Sequence, residues 1–188
     1  MDRLWLTGYR SYEMNVYGDS DPKLPIIKET LKNQLIQALD NGMTWLISGG
    51  ELGTEQWGLE VGIALKADYP DLQTSLMTPF TDFGSRWQED NQDKLSALKA
   101  QVDFTASVSQ APYQKPAQLS GYMQFMLQHT DGALLLYDPE VEGKPKFQYA
   151  AIQRYQENHD YPLTLITLED LEEEARNLAD QQNDYFQN

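Results

Sequence analysis

The sequence predicts an α/β protein, a single doubly wound domain whose mainly parallel sheet is flanked by helices. Three observations lead there. Six short apolar runs alternate with longer segments whose apolar residues recur at helical spacing. The first, second and fifth runs are apolar almost throughout, as strands are when helices cover both faces. Strict strand–helix alternation with right-handed crossovers then gives parallel strands and a Rossmann-like layout.

The first strand is read at Leu4–Thr7. Asp21-Pro22 opens a helix as N-cap and first-turn proline, Ile26, Ile27, Leu31, Leu35 and Leu39 mark its inner face, and Asn41-Gly42 ends it. The second strand is Thr44–Ser48. The next helix runs from Thr54 to Tyr69, with Trp57, Val61, Ala64 and Leu65 on one face, and stops before Pro70. Gln73–Met77 forms a third strand, followed by a helix from Asn91 to Gln101 carrying Leu95 and Leu98. Phe104–Val108 is the fourth strand. The helix after it, Pro116 to Thr130, has a wide apolar face of Leu119, Tyr122, Met123, Phe125, Met126 and Leu127, the pattern of deep burial. Ala133–Tyr137 is the fifth strand, and Pro145 to Asn158 the fifth helix, with Phe147, Ile152 and Tyr155. Leu163–Thr167 and a helix from Glu169 complete the series. The third, fourth and sixth strands alternate more and are expected nearer an edge. The main domain is expected over residues 1–170, and residues 171–188 read as an acidic C-terminal helix and tail. Residues 169–188 hold seven acids and one arginine.

Composition narrows the function. A length of 188 residues fits one domain. The absence of cysteine excludes a disulfide scaffold, an iron–sulfur cluster, a cysteine nucleophile and cysteine-ligated zinc. Two histidines, His129 and His159, are too few for a His-rich metal site, and no metal is expected. A net charge of −15 opposes non-specific nucleic-acid binding. No run of 18 apolar residues occurs, so no membrane span is expected. Met1 to Thr7 has no signal-peptide pattern, and cytoplasmic residence is the expectation. Homo-oligomerisation and protein partners stay open.

In such sheets ligands bind beyond the carboxyl ends of the strands. The sharpest feature there is Ser48-Gly49-Gly50-Glu51-Leu52-Gly53-Thr54-Glu55, between the second strand and its helix. Its glycines let backbone N–H groups at a helix start face an anion, with Ser48 and Thr54 as hydroxyl donors. Alternatively the turn needs glycine only for its own geometry. Thr7-Gly8-Tyr9-Arg10 comes directly after the first strand, where Gly8 permits close approach and Arg10 offers a bidentate anion donor. Arg10, Arg86, Lys115, Lys144 and Lys146 all fall on this face and together suggest a locally positive pocket. Pro79 and Phe80, Arg86 and Trp87, and Tyr113 lie in further loops of the same face, where the aromatic rings either stack on a base or pack onto the domain. Asp138 ends a strand, to take a ribose hydroxyl or a proton, or to orient its loop. Glu55 lies in the first turn of its helix, to act on a ribose or as a general base, or as an ordinary first-turn acid. No His or Cys stands where a nucleophilic triad needs one.

The candidate ligand-binding residues are therefore Gly8, Tyr9 and Arg10; Ser48, Gly49, Gly50, Gly53, Thr54 and Glu55; Pro79, Phe80, Arg86 and Trp87; and Tyr113 and Asp138. Glu55 and Asp138 are the catalytic candidates.

The first two motifs, with Thr78-Pro79-Phe80 and Asp131-Gly132-Ala133-Leu134-Leu135-Leu136-Tyr137-Asp138-Pro139, together resemble the YpsA family of Firmicutes from about residue 3 to about residue 170. The resemblance implies a Rossmann-like fold of the SLOG superfamily, which also holds the DNA-processing protein DprA and the LOG (lonely guy) phosphoribohydrolases. It implies binding of a nucleotide or nucleotide-derived ligand, and family-wide an association with cell-division control. Ser48, Gly49, Gly50, Gly53 and Glu55 match the DprA pattern S-G-G-x-x-G-x-D, with Glu for Asp. Gly49, Gly50, Gly53 and Thr54 resemble the LOG pattern G-G-x-G-T-x-x-E, but one extra residue precedes Gly53 and Trp57 stands where Glu is expected. The comparison implies binding more than catalysis. Three functional readings result. The first is a sensor or regulator holding an ADP-ribose-like ligand over Gly49–Gly53, with Arg10 on phosphate and Tyr113 or Trp87 on the base. The second is an N-glycosidic hydrolase using Glu55 and Asp138. The third is a protein-interaction module without a ligand.

Overall fold

Six parallel strands form one sheet in the order β4-β3-β2-β1-β5-β6. They are β1 Arg3–Gly8, β2 Trp45–Ser48, β3 Gln73–Thr78, β4 Phe104–Ser107, β5 Gly132–Leu136 and β6 Leu163–Ile166. Six helices accompany them: α1 Lys23–Asp40, α2 Thr54–Leu65, α3 Glu89–Gln101, α4 Ala117–His129, α5 Lys146–Gln156 and α6 Leu168–Phe186. The structure, a computed structural model, describes residues 1–186. This is the α/β, Rossmann-like architecture that the alternation predicts.

The chain steps outward from β1 to β4, and α1, α2 and α3 pack side by side. It then returns to the other side of β1, so right-handed crossovers place α4 and α5 on the opposite face. α4 and α5 pack on each other, and α6 packs on α1. β1 and β5 are central, in a register that pairs Leu6 with Leu134 and Gly8 with Leu136. Leu4, Trp5, Leu6 and Ala133 to Leu136 are buried between the two helical layers. On one face α2 sits close to the sheet because Gly58 faces Leu6, where a Cβ would overlap the leucine Cδ2.

Several details differ from the sequence expectation. β3 lies between β2 and β4 and is buried over Thr74 to Thr78, not at an edge. Two of its buried threonines find partners in β4 and in the residue just before it. Thr74 Oγ1 donates to Asp103 Oδ2 at 3.0 Å, and the Thr78 and Ser107 hydroxyls lie 2.8 Å apart. β4 and β6 are the edges. The wide apolar face of α4 is only partly covered, for Tyr122, Met126 and Leu127 are buried while Leu119 is exposed. α2 ends at Leu65, and a 3₁₀ turn at Ser11–Met14 precedes α1. Asp21 Oδ1 accepts the N–H of Lys23 at 2.9 Å and caps that first helix. Among the described residues, no helix is long and apolar enough to cross a membrane.

Candidate functional site

The strand order reverses between β1 and β5, so a crevice opens at their carboxyl ends. The loop after β1 has little freedom there. A Cβ on Gly8 would lie 2.6 Å from Leu136 O, and the Tyr9 N–H donates to that same carbonyl at 3.0 Å. Tyr9 turns away from the crevice. Its ring packs on Tyr137 at 5.5 Å, and its hydroxyl accepts the Asp138 N–H at 3.0 Å. Arg10 faces the crevice, 3.3 Å from Glu51 Oε2.

The glycine loop after β2 is stitched to the β1 loop. Gly53 adopts φ 118°, and a Cβ there would lie 2.5 Å from Ser11 N and 2.7 Å from Tyr9 O. Ser11 N–H donates to Leu52 O at 3.0 Å, and Thr54 N–H and Oγ1 both donate to Tyr9 O, at 3.1 and 2.8 Å. Ser48 Oγ donates to Leu6 O at 2.6 Å. The N–H groups of Glu51 and Leu52 are engaged by the Glu55 and Glu51 carboxylates, at 2.9 and 3.3 Å. Five of the loop's donors are thus engaged within the protein, while the N–H groups of Gly49, Gly50 and Gly53 have no hydrogen-bond partner among the described residues.

A cavity of about 450 Å³ lies beside this loop. Thr7, Gly8, Gly49, Gly50 and Glu55 line it from the strand ends, and Pro79 and Phe83 from the loop after β3. The first turns of α4 add Leu119, Tyr122 and Met123, and the start of α5 adds Lys144, Phe147 and Gln148. The volume suits a small molecule, and most of the lining is apolar with a few convergent polar groups.

Those polar groups are unusual. Glu55 is 7% exposed, with Oε1 accepting the Thr7 hydroxyl at 2.8 Å and Oε2 the Glu51 N–H. Burial raises its pKa to about 7, and the negative charge of Glu51 adds to that rise against those two hydrogen bonds and Arg10. Burial raises Glu51 as well, while Arg10 opposes the shift. The Tyr122 hydroxyl is pushed well above its ordinary value by burial and then by both carboxylates, so it stays neutral. Among the described residues its Oη has no hydrogen-bond partner, and neither has the buried Gln148 Oε1. A Cβ on Gly49 would overlap Glu55 Oε2 and lie 2.7 Å from Tyr122 Oη, so only glycine fits against these two oxygens.

Of the sequence candidates, Gly8, Arg10, Gly49, Gly50, Glu55 and Pro79 line the cavity. Tyr9, Ser48, Gly53 and Thr54 do not, being engaged in the stitching between the loops and the sheet. Phe80 packs against Phe83 and Tyr113, with ring centroids 5.8 and 5.1 Å away, and Trp87 meets the Phe83 ring edge-on at 5.2 Å. Phe83, rather than Tyr113 or Trp87, is the aromatic ring of that loop that reaches the cavity. Arg86 is exposed and outside it. Asp138 points elsewhere, its Oδ1 accepting the Glu140 N–H at 3.0 Å and its Oδ2 the Leu168 N–H at 3.3 Å. Of the five cations, Arg10 and Lys144 line the cavity, balanced by Glu51 and Glu55, while Lys146 pairs with Glu142 at 3.3 Å. The site is therefore mixed in charge rather than positive. His129 and His159 stack on Phe125 and Tyr155, one helical turn before each, away from the cavity. Sequence reasoning missed Tyr122 and Gln148 as site residues. The only signal for Tyr122 was a hydroxyl on an otherwise apolar helix face.

The profile of the YpsA family, described as the YspA SLOG family, matches residues 4–171. A UPF0398 protein from Lacticaseibacillus casei is 58% identical over 186 residues, covering 99% of this chain and 97% of the relative. The UPF0398 protein of Levilactobacillus brevis is 57% identical over 183 residues, 97% of each chain. That of Latilactobacillus sakei is 54% identical over 186 residues, 99% of this chain and 100% of the relative. The chain belongs to the YpsA SLOG family.

Proposed function

We propose that this member of the YpsA SLOG family binds a nucleotide or nucleotide-derived ligand of the ADP-ribose type in the cavity, and acts as a sensor or regulator. The observation that carries the reading is the cavity at the strand-order reversal with an unpartnered, buried Tyr122 hydroxyl on its wall. Arg10 and Lys144 supply cations for phosphate, and Phe83, Leu119, Met123 and Phe147 supply apolar area for a base. The test is a thermal-shift and calorimetric panel of ADP-ribose, NAD, adenine and guanine nucleotides and nucleoside monophosphates. A ligand at 100 times its Kd stabilises the fold by about 2.7 kcal/mol. No shift across the panel rejects the reading.

One observation favours a second reading, an N-glycosidic hydrolase. A Glu55 carboxyl with a pKa of about 7 is suited to give or take a proton at neutral pH. Its carboxyl neighbour in the cavity is Glu51, not Asp138. Release of free base from any bound nucleotide distinguishes this reading from the first.

A further inference from the structure

Three buried side-chain polar atoms lack a hydrogen-bond partner among the described residues: Trp5 Nε1, Tyr122 Oη and Gln148 Oε1. Two of the three belong to residues that line the same cavity. Leaving a buried polar atom unpartnered costs about 1–3 kcal/mol. Two such atoms on residues that line one cavity call for a partner, a ligand group or a water.

The donors and acceptors present select the kind of group. Tyr122 Oη, on a residue 7% exposed, is neutral and both donates and accepts. Glu55 Oε2 already holds the Glu51 N–H and has a lone pair left. Both oxygens lie against Gly49, at most about 5 Å apart, without bonding each other. One hydroxyl oxygen placed about 2.7–2.8 Å from each bridges such a gap. It donates to the carboxylate and accepts from the phenol. A ring nitrogen of a base does one or the other, never both. A phosphate oxygen brings negative charge against Glu51 and Glu55 and has no proton to donate. An apolar group leaves every polar atom unsatisfied.

We propose that Tyr122 and Gln148, with Glu55, form a subsite for the vicinal hydroxyls of a ribose, while Arg10 and Lys144 in the same cavity hold the attached phosphate. The ligand class is then a ribose phosphate with both hydroxyls present, and deoxyribose forms are rejected. This rests on the nucleotide-binding reading and adds which part of the ligand is read, and by which residues.

The test titrates the full chain at pH 7 with ADP-ribose, AMP, 2′-deoxy-AMP and 3′-deoxy-AMP. The wild type is expected to bind AMP at least tenfold tighter than either deoxy form. Tyr122→Phe and Gln148→Leu each shrink that preference to below threefold and weaken ADP-ribose. Tyr122→Phe removes only an unpartnered oxygen, so its fold is retained. Arg10→Gln weakens AMP and its deoxy forms alike and leaves the preference intact. If AMP and its deoxy forms bind equally, or if ADP-ribose binding is unchanged in both Tyr122→Phe and Gln148→Leu, the subsite is overturned while nucleotide binding stands. If none of the four compounds binds and the wider nucleotide panel is silent too, both readings fall.

Discussion

The β2–α2 loop and the facing ends of α4 and α5 border one cavity and use their polar atoms in opposite ways. In the loop, the Ser48 and Thr54 hydroxyls and the N–H groups of Glu51, Leu52 and Thr54 are all bonded within the protein. Across the cavity, Tyr122 Oη and Gln148 Oε1 are buried and have no hydrogen-bond partner among the described residues. The loop dominates the sequence because glycines stand out, and much of it serves to lock two loops together. The helix ends attract no notice in the sequence, yet they hold the unpartnered side-chain atoms among the residues lining the cavity. A glycine-rich signature therefore locates the crevice and its backbone donors, while the unpartnered side chains come from elsewhere in the fold.

Gly53→Ala tests the locked side and carries the largest expected effect. Its Cβ would meet Ser11 N and Tyr9 O, both backbone, at a φ of 118° that side chains rarely adopt. Strain and overlap together are expected to cost about 4 kcal/mol, read as a lower urea midpoint at unchanged slope. The obstacle is the β1 loop, so the damage falls on the fold before it falls on any ligand. A loss under about 1 kcal/mol would mean that the two loops are not locked.

Glu55 lies on the boundary between the two sides, and its test is a pH series. Its folded pKa of about 7 exceeds the ordinary value of 4.5. Between these values the folded state keeps a proton that the unfolded state has released, so stability falls as pH rises through that window. The full drop is up to roughly 3.5 kcal/mol, since each unit is worth about 1.4 kcal/mol. Glu55→Gln keeps the shape, and the Thr7 hydroxyl can rotate to accept from the new amide. The variant is expected to lose the slope in this window and to exceed the wild type in stability at pH 8. Parallel curves for wild type and variant from pH 5 to 8 would show that Glu55 is ionised throughout.

The sheet was legible because β1 and β5 are unbroken apolar runs, which mark central strands wherever they fall. β3 was misplaced toward an edge because Thr74, Ser75 and Thr78 look like solvent-facing positions. Two of their hydroxyls are satisfied by Asp103 and Ser107, each 29 residues further on, and local periodicity carries no information at that distance. The same limit governs the site. Gly49, Gly50 and Glu55 lie in one local motif and Arg10 in the neighbouring one, so a reading of loops after strands reaches them. Tyr122 and Gln148 arrive from the other face of the sheet through the β4–β5 crossover and the α5 entry. At sequence level Tyr122 is one member of an apolar face and Gln148 an ordinary helix polar residue. Asp138 shows the converse error, since a strand-end acid reads as functional while its oxygens serve two local N–H groups.

Thr54→Val and Tyr122→Phe place the two sides on one scale, since each removes one buried hydroxyl oxygen. The Thr54 hydroxyl donates to Tyr9 O at 2.8 Å, so its loss is expected to cost about 1.5 kcal/mol. The smallest effect belongs to Tyr122→Phe, and it has the opposite sign. The Tyr122 oxygen has no partner among the described residues, so removing it relieves a desolvation cost instead of breaking a bond. The variant is expected to match the wild type or gain up to about 1 kcal/mol in urea unfolding without ligand. A water resident beside Gly49 would reverse that sign, because the hydroxyl would then lose a real hydrogen bond and the variant would fall by a similar amount. The sign of one hydroxyl deletion therefore reports whether the space between Glu55 and Tyr122 is held open for a ligand or filled by solvent.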